Sequence, residues 1–336
     1  MYKKGLFVFW VVTLFMLASA TSAVDAWTEK EEHKASIEKP LYNTVRNKLI
    51  NNHLSLFMIL QQKLLLMNRL LTSLRERYDF HQDRKPDLTY ASHDGRTLYV
   101  GGSGPGNYTK IQDAISDSRA GDTIFVYHGI YRENLLIDKP VVLKGENKET
   151  TIIDGMQRGA VISILSDNVT VKCFTIRNGS IGIGSINCSY LVIMDNIITN
   201  NDWGIDLVGA YSGKCNNNLI KNNTVMNNNH GIALLNGFSS ECNNNLIEDN
   251  MVMNNGDNGI FLASGFSSEC NNNQIKNNTV TNNNHAGIEL GGIFSSECNN
   301  NQIKNNLITN NGNGTILVNG FSSECNNNLI ENNVVM

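Results

Sequence analysis

Basic residues are what this chain most conspicuously lacks. No arginine follows Arg177, and only four lysines follow position 201. Lysine and arginine together number 27, against 31 acidic residues. With no basic excess there is nothing to displace phosphate counterions, which excludes a nucleic-acid partner. The same shortage leaves the second half without a basic cleft for a polyuronate. Charge of either sign is scarce, at 17% of residues, low for a soluble globular protein. Beyond the first two dozen residues no segment is apolar for long enough to span a bilayer. What abounds instead is asparagine, with 39 in the last 136 residues. An ordinary globular core has no need of that.

The amino terminus has the order of an export signal. Lys3 and Lys4 precede an apolar run from Leu6 to Ala18, and small residues follow as Ala18-Ser19-Ala20 and Thr21-Ser22-Ala23. Residues 1–23 are expected to be a signal peptide; the alternative is an uncleaved membrane anchor over Gly5 to Val24. Export permits disulfides, and seven cysteines leave at least one outside any intrachain pairing. Residues 24–96 are expected to form a polar and amphipathic helical spacer. Within it, 54–78 predicts an amphipathic helix with a seam of Leu60, Leu64, Met67, Leu71 and Leu74. Its wide apolar stripe predicts docking on its own chain, self-association or contact with a membrane surface.

From 97 to 336 the chain repeats. Gly204, Gly231, Gly259, Gly287 and Gly314 open successive units at intervals of 27, 28, 28 and 27 residues. The next position holds Ile205, Ile232, Ile260, Ile288 and Thr315; two further on stand Leu207, Leu234, Leu262, Leu290 and Leu317. That alternation predicts short strands with one apolar face. Units this small bury nothing alone and must stack. Short strands with no core helix, at such a period, predict a parallel β-helix. Each coil gives one strand to each of three sheets, and coils rise ~4.8 Å apart. A leucine-rich solenoid competes on period, but no unit carries its signature. Asparagine suits the corners, because it tolerates left-handed backbone and its amide both donates and accepts. Asn223, Asn250, Asn278, Asn306 and Asn333 share one register, and Asn228, Asn255, Asn283 and Asn311 another. Both are expected to form structural ladders.

One unit, from Gly182 to Gly204, is shorter, at 22 residues. The later coils carry five added residues before a cysteine, first Ala210-Tyr211-Ser212-Gly213-Lys214, then Gly237-Phe238-Ser239-Ser240-Glu241 and close copies. An insertion at one fixed corner maps to one face, often the binding face of a solenoid.

The opening of the repeat region reads Thr97-Leu98-Tyr99-Val100, then Lys110-Ile111-Gln112-Asp113-Ala114-Ile115, Gly121-Asp122-Thr123-Ile124 and Gly129-Ile130-Tyr131-Arg132-Glu133. With the later Asn-Asn-x-x-Gly-Ile-x-Leu phrases, this resembles the parallel β-helix proteins of the pectin-lyase-like superfamily, in the NosD-like, CASH-type group. The resemblance covers about 97–336. It implies a right-handed parallel β-helix whose short helix, near 109–118, caps the first coil. It is weak for function, since the group holds polysaccharide lyases, hydrolases, epimerases, surface proteins and a periplasmic copper-pathway protein. The last residues, Val335-Met336, fall within a coil, so the repeat is expected to be truncated or covered by another surface.

Three rows and one set of aspartates carry the candidate chemistry. Tyr211, Phe238, Phe266, Phe294 and Phe321 form an aromatic row, beside the acidic row Glu241, Glu269, Glu297 and Glu324. The rings either pack the inserted loop or form a strip suited to sugar rings or a protein partner. The acids are either solvated or hold Ca2+. Cys215, Cys242, Cys270, Cys298 and Cys325 continue a register begun at Cys188. Three readings of it are open: small apolar packing, vertical disulfides, or soft Cu+ coordination. Asp202, Asp206 and Asp257 are the catalytic candidates, since glycoside hydrolysis needs paired carboxylates. Asp202 and Asp257 share a register two coils apart, ~9.6 Å, wide for such a pair. Seven Asn-x-Ser/Thr sites, at Asn107, Asn168, Asn178, Asn187, Asn222, Asn277 and Asn313, are candidates for glycosylation.

The sequence thus predicts an exported surface or envelope β-helix that binds a polysaccharide or a surface protein through the inserted-loop face, without catalysis and with no required cofactor. A carbohydrate-active enzyme and a copper-handling protein are the alternatives.

Overall fold

The computed structural model describes residues 95–320 and 323–336. The expected signal segment, the helical spacer up to position 94, and Phe321 lie outside the described residues. Three parallel sheets wind along the chain. Sheet A has ten strands, from Thr97–Val100 to Leu329–Glu331. Sheet B has nine, from Gly129–Tyr131 to Val334–Val335, and sheet C has eight, from Leu135–Ile137 to Asn313–Asn319. Every strand pairs in parallel with the strand one coil away; only the first two strands, Thr97–Val100 and Thr123–Val126, are also neighbours in sequence.

The core follows from strand length. Most strands of sheets A and B are three residues long, so only the middle side chain points inward. Ile193, Ile220, Ile247, Ile275 and Ile303 stack in sheet A, and Ile198, Val225, Val252, Val280 and Ile308 in sheet B. Sheet C strands are longer and send two residues inward. Ile205, Ile232, Ile260 and Ile288 make one stack; Leu207, Leu234, Leu262 and Leu290 make the other. All are buried in one continuous core. A short helix, Ile111–Asp117, buries Ile111, Ala114 and Ile115 beside the first coil. The N–H groups of Ile111 and Gln112, which have no partner within the helix, donate to the Glu133 carboxylate at 2.8 and 3.0 Å.

The asparagine excess resolves into pairs. The first residue of each pair sits at a corner in left-handed backbone, as at Asn222 (φ 56°) and Asn277 (φ 57°). The second turns inward and joins a ladder. Asn223, Asn250, Asn278 and Asn306 pass amide hydrogen bonds from coil to coil at 2.9–3.1 Å. Asn228, Asn255, Asn283 and Asn311 do the same. A third ladder, Asn218, Asn245, Asn273, Asn301 and Asn328, runs beside the cysteines. Each amide also donates to a backbone carbonyl of the preceding coil.

Candidate functional site

The inserted residues prolong sheet C and then reverse the chain. Tyr211-Ser212, Phe238-Ser239, Phe266-Ser267 and Phe294-Ser295 all have positive φ, between 51° and 62°. For a side chain as large as phenylalanine this is costly, ~1–2 kcal/mol per residue. Ring stacking offsets part of that cost, at ~0.5–1.5 kcal/mol per pair. Centroids are 5.2 Å apart for Tyr211 and Phe238, and 4.9 Å for Phe238 with Phe266 and for Phe266 with Phe294. The planes are within 15° of parallel. Tyr211 is 55% exposed, and the three phenylalanines are half-buried. The loop backbones bond coil to coil, Ser239 N to Phe266 O at 3.0 Å and Ser267 N to Phe294 O at 3.1 Å. The aromatic row is therefore a fixed strip with one edge toward solvent.

The acidic row lies next to it. Lys214, Glu241, Glu269, Glu297 and Glu324 bridge in parallel, one per coil. Lys214 pairs with Glu241 at 3.1 Å, and bonds from Lys214 first, then Asn216, hold that carboxyl below its ordinary range. Among the described residues no cation pairs with Glu269, Glu297 or Glu324, all exposed. Asn243 and Asn271 donate to Glu269 and Glu297 at 3.4 and 3.3 Å.

The cysteine register points inward. Cys188, Cys215, Cys242, Cys270 and Cys298 belong to the core, and Cys325 packs against it. All seven cysteines are free thiols, so packing accounts for the register and the disulfide reading does not. Burial pushes the Cys188 thiol up to about 12. Hydrogen bonds to neighbouring thiols, and burial, hold Cys242 and Cys298 well above the ordinary value. Cys270, between them, moves the other way, lowered to about 5 by hydrogen bonds from Cys242 and Cys298, and the bond from Cys298 lowers Cys325. Among the described residues no group of three or more His, Cys, Asp or Glu is arranged to hold a metal ion.

The catalytic candidates separate. Asp206 is an outward residue of a sheet C strand, in register with Ala233, Phe261 and Glu289. Asp202 and Asp257 sit at the corner between sheets B and C, with Asn229 in the coil between them. Asp257 acquires different neighbours. Coils of 28 residues carry their extra residue at this corner, between Asn255 and Gly259 and between Asn283 and Gly287. The widened turn brings His285 Nδ1 to 3.6 Å from Asp257, 3.8 Å from Glu289 and 2.7 Å from Asn258 Oδ1. His230 Nδ1 lies 3.4 Å from the other Asp257 oxygen, and its ring stacks on Trp203 at 3.6 Å. Asn258 Nδ2 donates to Glu289 at 2.9 Å.

Burial raises both carboxyls, Asp257 and Glu289, with His285 opposing it in each case. A raised acid is stabilising when protonated, and that contribution is lost as pH rises through its folded-state value. Glu289→Gln is therefore expected to raise the unfolding midpoint at pH 7, with the gain shrinking toward pH 4. Thermal melts across that range check it; an equal gain at both ends would mean that ionisation is not the cause.

Residues 141–292 match the family described as right handed beta helix region. With its three parallel sheets, the chain is a right-handed parallel β-helix protein. A cell surface glycoprotein of Methanothermus fervidus is 35% identical to it over 96 residues. That stretch is 28% of this chain and 16% of the relative, so the chain matches under a fifth of that protein's length. A pectin methylesterase in complex with a hexasaccharide is 14% identical, covering 62% of this chain and 79% of its own, with a TM-score of 0.43. For the pectin methylesterase of Erwinia chrysanthemi the values are 13%, 64%, 80% and 0.40. Among the described residues no helix is long and apolar enough to cross a membrane.

Proposed function

We propose that this is an exported cell-surface β-helix protein that binds a polysaccharide or a surface protein through its inserted-loop face, without catalysis. The observation that carries this reading is the aromatic strip. Four rings spaced 4.9–5.2 Å apart are held in left-handed corners on rigid loops. A core role does not explain them, since the coil beginning at Gly182 closes without the insertion. Exposed ring edges beside amides and carboxylates offer apolar area and hydrogen bonds together, the combination that sugar rings and protein hot spots use. The named relative supports a surface location. The exposed asparagines Asn222, Asn277 and Asn313 are where attached glycans would sit.

Replacing Phe238 and Phe266 together by alanine removes the centre of the strip. Retention of the full chain on immobilised neutral and acidic polysaccharides is expected to fall about tenfold or more, the scale of a hot-spot loss. The unfolding midpoint should move little, because the rings lie outside the core. Retention unchanged by the double substitution would remove the strip from the binding face.

A further inference from the structure

The outward face of sheet A changes character along its length. Strand pairing puts Tyr99, Phe125, Lys144 and Lys172 in one row over the first coils. The rings of Tyr99, Phe125 and Tyr127 meet in a cluster, with centroids 5.1–6.1 Å apart. Lys144 Nζ stands 5.6 Å over the Phe125 ring, and Tyr99 is 43% exposed. Further along the face the lysines are neutralised. Lys221 and Lys276 bind Glu248 at 2.7 and 3.3 Å, and Lys304 binds Glu331 at 2.9 Å. Among the described residues no carboxylate pairs with Lys144 or Lys172. The molecule thus carries two uncompensated rows of opposite sign, each beside aromatic rings. One is Lys144 and Lys172 on sheet A. The other is Glu269, Glu297 and Glu324 on the inserted loops.

We propose that these two rows dock on one another between copies of this chain. The inference rests on the reading of the inserted-loop face as a docking surface, and it names the protein partner as a second copy. Spacing is the argument. Lysines in adjacent coils and glutamates in adjacent coils are separated by the same coil rise, ~4.8 Å. An unrelated protein would need that pitch by coincidence; a second copy has it by construction. Aromatic rings flank both rows and supply apolar area that ion pairs alone lack. The two faces are different surfaces of one molecule, so the contact is heterologous, and it propagates unless its rotation closes a ring. Where it propagates, it makes rows of molecules, an arrangement suited to a surface protein. Charges that are exposed on the glutamate row and half-buried on the lysine row make the contact salt-sensitive.

Sedimentation velocity of the full chain tests it. The wild type is expected to associate with rising concentration at low salt, and to remain monomeric at about 0.5 M salt, where charges are screened within a few ångströms. Lys144→Glu/Lys172→Glu and Glu269→Lys/Glu297→Lys should each weaken self-association about tenfold or more. An equimolar mixture of the two variants should recover it, since each supplies the face that the other has lost. Circular dichroism checks that both variants fold. A wild type that stays monomeric at low salt, or association untouched by either reversal, overturns the proposal. If that monomer is still held by immobilised polysaccharide through Phe238 and Phe266, the docking face stands and only self-assembly falls. If it is not held either, both readings fall.

Discussion

Replacing Asn278 by alanine is expected to destabilise the solenoid by about 3–5 kcal/mol, the range for opening a buried hydrogen-bond network. Asn278 is 1% exposed and serves three coils at once. Its Nδ2 donates to Ile247 O at 2.9 Å, Lys276 O at 3.0 Å and Asn306 Oδ1 at 3.0 Å. Its Oδ1 accepts from the backbone N of Asn250 at 2.9 Å and from Asn250 Nδ2 at 3.0 Å. Alanine removes all five bonds and leaves the Asn250 backbone N–H buried without its acceptor, an unmet group that alone costs ~1–3 kcal/mol, while Asn250 Nδ2, Lys276 O and Asn306 Oδ1 each keep at least one other partner. The neighbouring Asn277 is the control. It is exposed, at φ 57°, so Asn277→Ala should cost only the left-handed penalty of ~1–2 kcal/mol. Urea denaturation of both variants makes the comparison. Equal losses at the two positions would show that the ladder does not hold the coils together.

Gly259→Ala is expected to cost about 3 kcal/mol or more, against the usual expectation. A glycine-to-alanine change at a compatible site stabilises by ~0.4–1 kcal/mol through the unfolded chain. Here a Cβ would lie 2.5 Å from Val280 Cγ1, 2.7 Å from Gly287 O and 2.8 Å from Asn283 Nδ2. The Gly287 carbonyl belongs to the next coil's backbone and cannot withdraw without breaking the stack, so the overpacking cost is at the upper end. Gly231 is tighter still, with the Gly259 carbonyl oxygen at 2.2 Å from its would-be Cβ. Gly237 is the contrast, since its nearest such neighbour is Gly265 O at 3.9 Å. Gly237→Ala should change stability by no more than about 0.5 kcal/mol, as at unconstrained sites. Thermal or urea midpoints of the two variants decide. A tolerated Gly259→Ala would mean that the repeated glycine marks something other than close coil approach.

These two positions also show how far the sequence could be read. The glycine register and the alternating Ile and Leu beside it gave period, strand faces and architecture without coordinates. The Asn278 register was visible in the same way. The third ladder, through Asn245 and Asn273, was not. It hides inside an Asn-Asn-Asn run, where spacing does not say which amide turns inward. Glu289 was missed because its register holds Asp206, Ala233, Phe261 and Glu289 in successive coils. A row that never repeats a residue gives no repeat signal.

By itself, then, the sequence determined the solenoid, its three-sheet winding and the corner that carries the insertion, because each follows from which residues recur at which spacing. The tertiary structure alone decided direction and company. It turned the thiols into the core and stacked Phe238, Phe266 and Phe294 in register. It placed His285 between Asp257 and Glu289, and left Lys144, Lys172 and three glutamates without an opposite charge among the described residues. The physical reason is that periodicity records which positions are equivalent. Which side chains touch depends on how a turn bends, and a single added residue at the corner before Gly259 is enough to change that.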